Sequence, residues 1–481
     1  MNHSTSETSP PDDVLAKIAD YACSADSFSP VALATARLCL LDSLGCALLG
    51  LTFPACSRLI APVVPGMTLR NGARIPGTDL ELDPVQGAFC FGTMIRWLDY
   101  NDTWLAQEWG HPSDNLGAIL MTADWRSRQP ATSGQPLLIR DVLNSMIQAY
   151  EIQGVLALEN AFNRAGIDHV LLVRVASAAV ATRILGGNRD QVVAAVSQAW
   201  LDGGPLRTYR HAPNTGSRKS WAAGDATSRA VRLALLTLAG ERGYATALTT
   251  PTWGFQDAVN RGRDVRLARS FGSYVMENIL FKVSFPAEFH GQTAVEAALA
   301  LHPSVRNRWD QIARIRIETQ EPAMRIISKH GPLHNPADRD HCLQYMVAIG
   351  LIHGELTAEH YEADAAANPL IDQLRAKMEV VERPQYSLDY LDPEKRSIAN
   401  AIQIDFAGGE PSPRIEVEYP LGHRRRRDEA RAALIDKFTA NASTRLSANS
   451  VAGLVELFQD PVRLDQLPVT EFVNLTLPLQ Q

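Results

Sequence analysis

Leu33, Leu40, Leu41, Leu44 and Leu48 recur at helical spacing behind a Ser29-Pro30 start and run up to Gly50. A capping serine with proline at the first helical position predicts a helix from residue 30. Residues 52–82 are rich in Pro and Gly and predict irregular chain. Asp83-Pro84 repeats the start signal, and Val85, Ala88, Phe89 and Gly92 share one face, so a second helix is expected to about Leu98. Beyond it, Ala, Leu, Val and Ile fill blocks of helix length. They predict a helix from Asp114 under a Ser113 cap, one over 137–160, and one over 169–185 capped by Asp168 and closed by Gly186-Gly187. A further helix is expected over 189–200, and helix resumes around Trp221 as far as Gly240.

After about residue 275 the texture changes. Arg314–Glu318, Ala401–Phe406 and Arg414–Tyr419 alternate polar and apolar residues, as half-buried strands do. Gly408-Gly409 suggests a hairpin joining the last two. Helical segments near 290–301, 340–352 and 370–378 lie between the strands, and 427–440 and 449–458 return to helix. The expected fold is mainly α. A large all-helical domain spans 1–275 and is completed by 425–481, with a smaller α+β domain over 276–424 inserted into it or following it.

The 481 residues exceed what one hydrophobic core usually serves. A formal charge of −7 argues against a general nucleic-acid binder, which carries a basic footprint. Six cysteines without a C-x-x-C pair predict buried free thiols in a reducing compartment and give poor support to a thiolate metal site. The leader MNHSTSETSPPDD lacks the basic and apolar parts of a secretory signal. No run reads as a membrane span, so a cytoplasmic protein is expected.

Chemistry concentrates in a few stretches. WLDYNDTWLAQEWGHPSDN, residues 97–115, gathers Asp99, Asn101, Asp102, Thr103, Glu108, His111, Ser113 and Asp114 between two predicted helices. His111 is expected just ahead of a positive helix end, and His169 in the first turn of its helix, where a neutral, proton-accepting ring is favoured. Between Asp202 and Asp225 there is no acid, but Arg207, Arg210, Arg218, Lys219 and His211 are present, a set suited to a multiply charged anion. Lys282, Glu288 and His290 flank Phe285-Pro286. Residues 330–341 hold His330, His334 and His341 with a helix start expected at Asp338, and Pro332 breaks the geometry that a metal pair would need. Arg424–Arg427 reads as a solvated helix start or an edge of the anion pocket. No phosphate-binding loop, dinucleotide fingerprint or nucleophile elbow occurs. Acids, bases and fixed cations without a nucleophile fit proton transfer on a polycarboxylate.

The segments DYNDTW, GHPSDN, RKSWAAGDA, KVSFPAEFH and GPLHNPADRDHC, in that order, resemble the MmgE/PrpD family. That family holds 2-methylcitrate dehydratase, cis-aconitate decarboxylase and iminodisuccinate epimerase. The resemblance runs from about residue 30 to 475, and WLDYNDTWLAQEWGHPSDN and HNPADRDHC look like its dehydratase branch. It implies a helical domain with an α+β lid and an active site in the cleft between them. It also implies a homodimer that uses no metal or organic cofactor and contacts neither nucleic acid nor membrane. The implied reaction takes water from a small-molecule tricarboxylate, 2-methylcitrate, to give 2-methyl-cis-aconitate in the methylcitrate cycle of propionate catabolism. Side activity on citrate and cis-aconitate is expected, because one methyl discriminates weakly. By resemblance, His111 and His169 are the proton-transfer pair, and Asp99 and Thr103 orient a histidine or the substrate hydroxyl. Lys219 with Arg207 or Arg210 holds carboxylates, and Asn101, Asp102, Ser113, Lys282 and His290 complete the substrate-binding set. The alternatives are a cis-aconitate decarboxylase or another polycarboxylate lyase or epimerase of the family and, more distantly, a non-catalytic polyanion binder acting through Arg424–Arg427.

Overall fold

The computed structural model describes residues 10–24, 27–130, 136–211, 213–392 and 394–478; residues 1–9 of the polar leader lie outside the described residues. The fold is mainly α. The first two start signals act as expected. Ser29 Oγ accepts the Ala32 N–H at 3.0 Å to open the helix Pro30–Gly50. Asp83 Oδ1 accepts the Val85 and Gln86 N–H groups, both at 3.0 Å, to open Pro84–Arg96. The helix Val170–Ile184 has His169 at its cap position and not the expected Asp168, which stands one residue earlier and still accepts the Val170 N–H at 3.2 Å on Oδ1; Gly186, with φ 92°, follows its end. The helices Ile139–Glu159, Arg189–Leu201 and Arg218–Leu238 match their expected blocks.

Four further local expectations are corrected. Ser113 caps nothing: it lies inside a tight helical turn, Pro112–Asn115, and the α-helix begins only at Leu116. The cap near Asp338 is Asn335, whose Oδ1 accepts the Asp338 N–H at 3.1 Å. Helix was expected to residue 378, but Pro369–Arg375 gives way to a strand, Met378–Glu382. The helix Pro30–Gly50 is, at 21 residues, long and apolar enough to cross a membrane, although no such run was expected. Of its most apolar window, 83% is buried inside the protein, and a helix enclosed by others is apolar all round.

Among the described residues two large hydrophobic cores form, with three small clusters beside them. The first joins the helices of residues 13–238 and takes in Ala430, Leu434, Phe438 and Leu454 from Arg427–Ala442 and Ala448–Gln459. The second lies between residues 285 and 406. It covers a four-stranded sheet in the order Met378–Glu382, Ile312–Thr319, Asn400–Phe406, Ile415–Val417. The first pair is parallel and the other two are antiparallel. Ile315, Ile317, Ile402 and Ile404 point into this core at the period of a half-buried strand.

Arg424–Arg427 does open the helix Arg427–Ala442, with Arg425 exposed, but it does not line the cationic cavity and three of its arginines are tied down. Arg424 donates to Asn278 Oδ1 at 2.5 Å, Arg426 to Glu296 Oε2 at 3.0 Å, and Arg427 to the Ile279 carbonyl at 2.5 Å. The run ties the first core to the second.

One close helix crossing decides where the site residues meet. Pro84–Arg96 and Arg218–Leu238 approach at Gly92 and Gly224, where an added Cβ on Gly224 would stand 2.4 Å from both the Phe89 carbonyl oxygen and Thr93 Oγ1. The crossing brings the end of one helix, at Arg96, beside the start of the other, at Lys219. A Gly224→Ala variant should lose roughly 1–3 kcal/mol, because both helix backbones must shift. Gly453→Ala, at an exposed helix position with nothing within 4 Å of the new Cβ, should gain about 0.5–1 kcal/mol. Denaturant unfolding of the two variants checks both signs.

Candidate active site

After Arg96 the chain turns at Asp99, whose φ of 51° lies in the left-handed region that aspartate tolerates. The turn folds the carboxylate back into the protein, where it is 2% exposed. Arg96 Nη1 donates to Oδ1 at 2.7 Å. Lys282 Nζ donates to the same oxygen and to the Asp99 carbonyl at 2.7 Å. Burial alone would raise this carboxyl, but Arg96, Lys282 and two flanking histidines overcome it and hold the group well below the usual carboxylate range. Those histidines are His111, with Nε2 3.6 Å from Oδ1, and His341, with Nε2 3.9 Å from Oδ2. Lys282 is brought here by bridging hydrogen bonds between Thr103 and Leu280, of 2.8 and 3.1 Å, that join the two segments like strands.

Two short paired strands, Trp104–Leu105 and Trp109–Gly110, fold Thr103 and His111 side by side. His111 Nδ1 stands 2.6 Å from the Asp102 carbonyl and 3.3 Å from Thr103 Oγ1. A carbonyl only accepts, so Nδ1 carries the proton and the neutral ring presents a bare Nε2. Burial first, and then Arg96, keep the ring well below the ordinary histidine range, against the pull of Asp99. His169 lies 5.8 Å away, ring centre to ring centre. Neither of its ring nitrogens has a hydrogen-bond partner, and Nδ1 is 3.4 Å from Asp168 Oδ1. Burial lowers this ring too; Asp168 opposes, and Arg210 and Arg207 add to the lowering. Gly110 makes room, because a Cβ there would stand 3.3 Å from His169 Cδ2.

The two expected arginines differ. Arg210 is committed to Asp168, with Nη2 3.0 Å from Oδ1 and Nε on Oδ2. Arg207 lies over the Trp109 ring at 5.1 Å; its Nη1 has no hydrogen-bond partner and reaches Asp168 Oδ2 only at 3.7 Å. Asp99, Thr103, His111, His169, Arg207, Arg210 and Lys282 all line one cavity of about 400 Å³. Its wall carries six fixed cations, Arg96, Arg207, Arg210, Lys282, Arg325 and Lys329, against the carboxylates of Asp99 and Glu288. Leu105, Trp109, Phe289 and Ile326 supply an apolar part. An acidic protein thus encloses a strongly positive pocket.

Five expected residues do not line this cavity. Asp102 Oδ1 accepts the Ser113 N–H at 3.0 Å and its hydroxyl at 2.7 Å, and Oδ2 accepts the Tyr150 hydroxyl at 2.6 Å. Asn101 Nδ2 donates to Ser113 Oγ at 2.8 Å and Asp114 Oδ1 at 3.1 Å. Asn101, Asp102 and Ser113 are therefore engaged with one another and brace the turn behind His111. Lys219 Nζ sits 2.5 Å from both oxygens of Asp340 and 3.1 Å from His341 Nδ1. His290 is bonded on both sides, Nδ1 to Glu288 Oε1 at 2.8 Å and Nε2 to the Tyr390 hydroxyl at 3.2 Å.

Sequence reading passed over four cations that matter. Arg96 carried one signal, an acid three residues on. Arg325 and Lys329 carried none, since they reach the cavity from the second core. Lys437, in the C-terminal helix, donates to the backbone carbonyls of Tyr100 and Lys282, both at 2.7 Å, and pairs with Asp42 at 2.6 Å. His341 carries a signal of its own, since it lies in the histidine-rich loop, but nothing local aims it at Asp99.

The MmgE/PrpD N-terminal domain model matches residues 16–268, and the MmgE/PrpD C-terminal domain model matches 285–459. The chain is 56% identical over 462 residues to a 2-methylcitrate dehydratase of Escherichia coli, covering 95% of this chain and 96% of that one. It is 55% identical over 470 residues to the 2-methylcitrate dehydratase of Cupriavidus necator, with 97% of each chain covered. It is 54% identical over 470 residues to the mitochondrial 2-methylcitrate dehydratase of Yarrowia lipolytica, covering 96% and 90%.

The buried acids behind the cavity make a pH prediction. Burial lifts Asp114 to about 7, while Arg96 acts against it. An aspartate in the unfolded chain loses its proton near pH 4, at about 3.9. The folded protein therefore holds an extra proton between about pH 4 and about 7. The stability this contributes is complete below that window and is lost as pH rises through it. Asp114→Asn, which keeps an acceptor for Asn101 and cannot ionise, should lose less stability than the wild type between pH 5 and pH 8, read by thermal melts.

Proposed function

Because the chain belongs to the MmgE/PrpD family across both halves of its length, we infer that it is a hydro-lyase that converts 2-methylcitrate to 2-methyl-cis-aconitate. The observation that carries the chemistry is the bare Nε2 of His111 at a cavity whose cations outnumber its acids. The reaction breaks a C–H bond on the methyl-bearing carbon, next to a carboxylate, and a C–O bond on its neighbour. The first step puts negative charge on that carboxylate, and fixed cations favour such a change in a site shielded from water. Lys282 and Arg207 are placed for that work. His111 takes the carbon proton through Nε2, with the Asp102 carbonyl and Thr103 fixing the ring and Asp99 beside it to favour the charged form once the proton has arrived. His169, with neither nitrogen bonded, is the second proton-handling ring on that wall.

The finer reading keeps the division into a helical domain over 1–275, completed by 425–481, and an α+β lid over 276–424. Its support is the pair of separate cores and a cavity wall shared between them. Arg325 of the second core reaches over the Trp109 ring at 5.4 Å, opposite in origin to Arg207 at 5.1 Å, which suits a closed lid. A cytoplasmic homodimer without metal or organic cofactor belongs to the same reading.

Chelator-treated protein should turn over 2-methylcitrate, seen as the rising ultraviolet absorbance of a conjugated product. His111→Ala and His169→Ala should each lower kcat by about 10²–10⁴-fold with thermal stability retained. Lys282→Ala should weaken both binding and turnover. Activity restored only by added metal would overturn the metal-free reading. Carbon dioxide release from cis-aconitate, without dehydration, would shift the assignment to the family's decarboxylases.

A further inference from the structure

An elimination of water needs a proton for the departing oxygen as well as a base for carbon. We propose that His341 supplies that proton, held in place by Asp340 and Lys219; the assignment rests on the dehydratase reading above. His341 lines the cavity and comes from the second core, whereas His111 and His169 come from the first. Its Nδ1 stands 2.8 Å from Asp340 Oδ1 and 3.1 Å from Lys219 Nζ. Burial and then Lys219 lower this ring, and Asp340 and Asp99 oppose them; a tricarboxylate in the cavity adds the negative charge with which the ring takes up its second proton, its Nδ1–H then on Asp340. The other N–H, at Nε2, then faces the space beside Asp99, 3.9 Å from Oδ2. Lys219 pairs with both oxygens of Asp340 and so fixes the carboxylate that orients the ring. The same carboxylate oxygens of Asp99 thus separate two imidazoles, His111 at 3.6 Å on Oδ1 and His341 at 3.9 Å on Oδ2.

The step balances without any other reactant. The C–H proton goes to His111 Nε2, and its electron pair becomes the new C=C bond. The C–O electrons leave with oxygen, which takes the Nε2 proton of His341 and departs as water. His111 ends charged and His341 neutral. Proton exchange with water after the product leaves resets both rings. The assignment also gives Lys219 and Asp340, two buried groups that do not touch the cavity, a positioning role. It explains why a histidine of the α+β segment is aimed at an acid of the helical one.

The test compares two leaving groups. Wild type, His341→Gln, His341→Asn and His111→Gln are assayed with 2-methylcitrate and with its analogue in which fluorine replaces the tertiary hydroxyl. Fluoride leaves without a proton. Both His341 variants should lose about 10²–10³-fold in kcat on the hydroxyl substrate and less than about 5-fold on the fluoro analogue. His111→Gln should lose heavily on both. The ratio of the two rates does not change with the fraction of a variant that is folded. Equal losses on the two substrates, or no loss on either, overturn the role of His341 alone. A wild type that dehydrates no stereoisomer of 2-methylcitrate overturns the underlying reading and this assignment with it.

Discussion

A single buried carboxylate organises the molecule. Asp99 gathers Arg96 from its own helix, Lys282 from the chain between the two cores, His111 from the loop that follows and His341 from the second core. An isolated carboxylate at this depth would be far too costly to keep charged. It stays ionised because two cations bond to it directly, and they in turn depend on it. Removing either side of such a cluster leaves an uncompensated buried charge, which typically costs 3–5 kcal/mol or about that. The cluster is therefore a strong constraint on how the two cores sit.

The supporting groups act on the backbone. Lys437 grips the carbonyls of Tyr100 and Lys282, one residue beyond Asp99 and at the lysine itself. Its ammonium also lies 3.5 Å from the centre of the Tyr100 ring. Asp102, Ser113, Asn101 and Tyr150 bond to one another beneath His111 and define the carbonyl that sets its tautomer. Catalytic precision in such a site comes from groups that never meet the ligand, because they remove the freedom of those that do.

The electrostatics follow from the same arrangement. A chain of formal charge −7 keeps most of its acids on the outside and turns arginines and lysines inward around one cavity. Burial holds His111 and His169 neutral, and the neighbouring arginines push in the same direction. A polyanionic ligand reverses that balance on entry, since it brings the negative charge that a protonated ring needs.

Much of this was legible in the chain. Ser29, Asp83 and Asp168 mark their helix starts, since a cap is a local event between neighbours in sequence. Alternation revealed the strands at 312–319 and 400–406, because one face of each is buried. The acid-free run around Arg207 and the DYNDTW segment pointed to the site, and Asp99, His111, His169 and Lys282 do meet there. Sequence by itself could not separate residues that face the cavity from those that brace it. Asn101, Asp102 and Ser113 look as suited to a ligand as Asp99, but the Asn101 N–H groups, the Asp102 carboxylate and the Ser113 hydroxyl are engaged with one another, with Asp114 and with Tyr150. It could not find Arg325, Lys329 or Lys437 either, which come from segments more than 100 residues away from the motif they serve. Which polar group is free and which is satisfied is decided by neighbours in space, and only the folded chain brings those neighbours together.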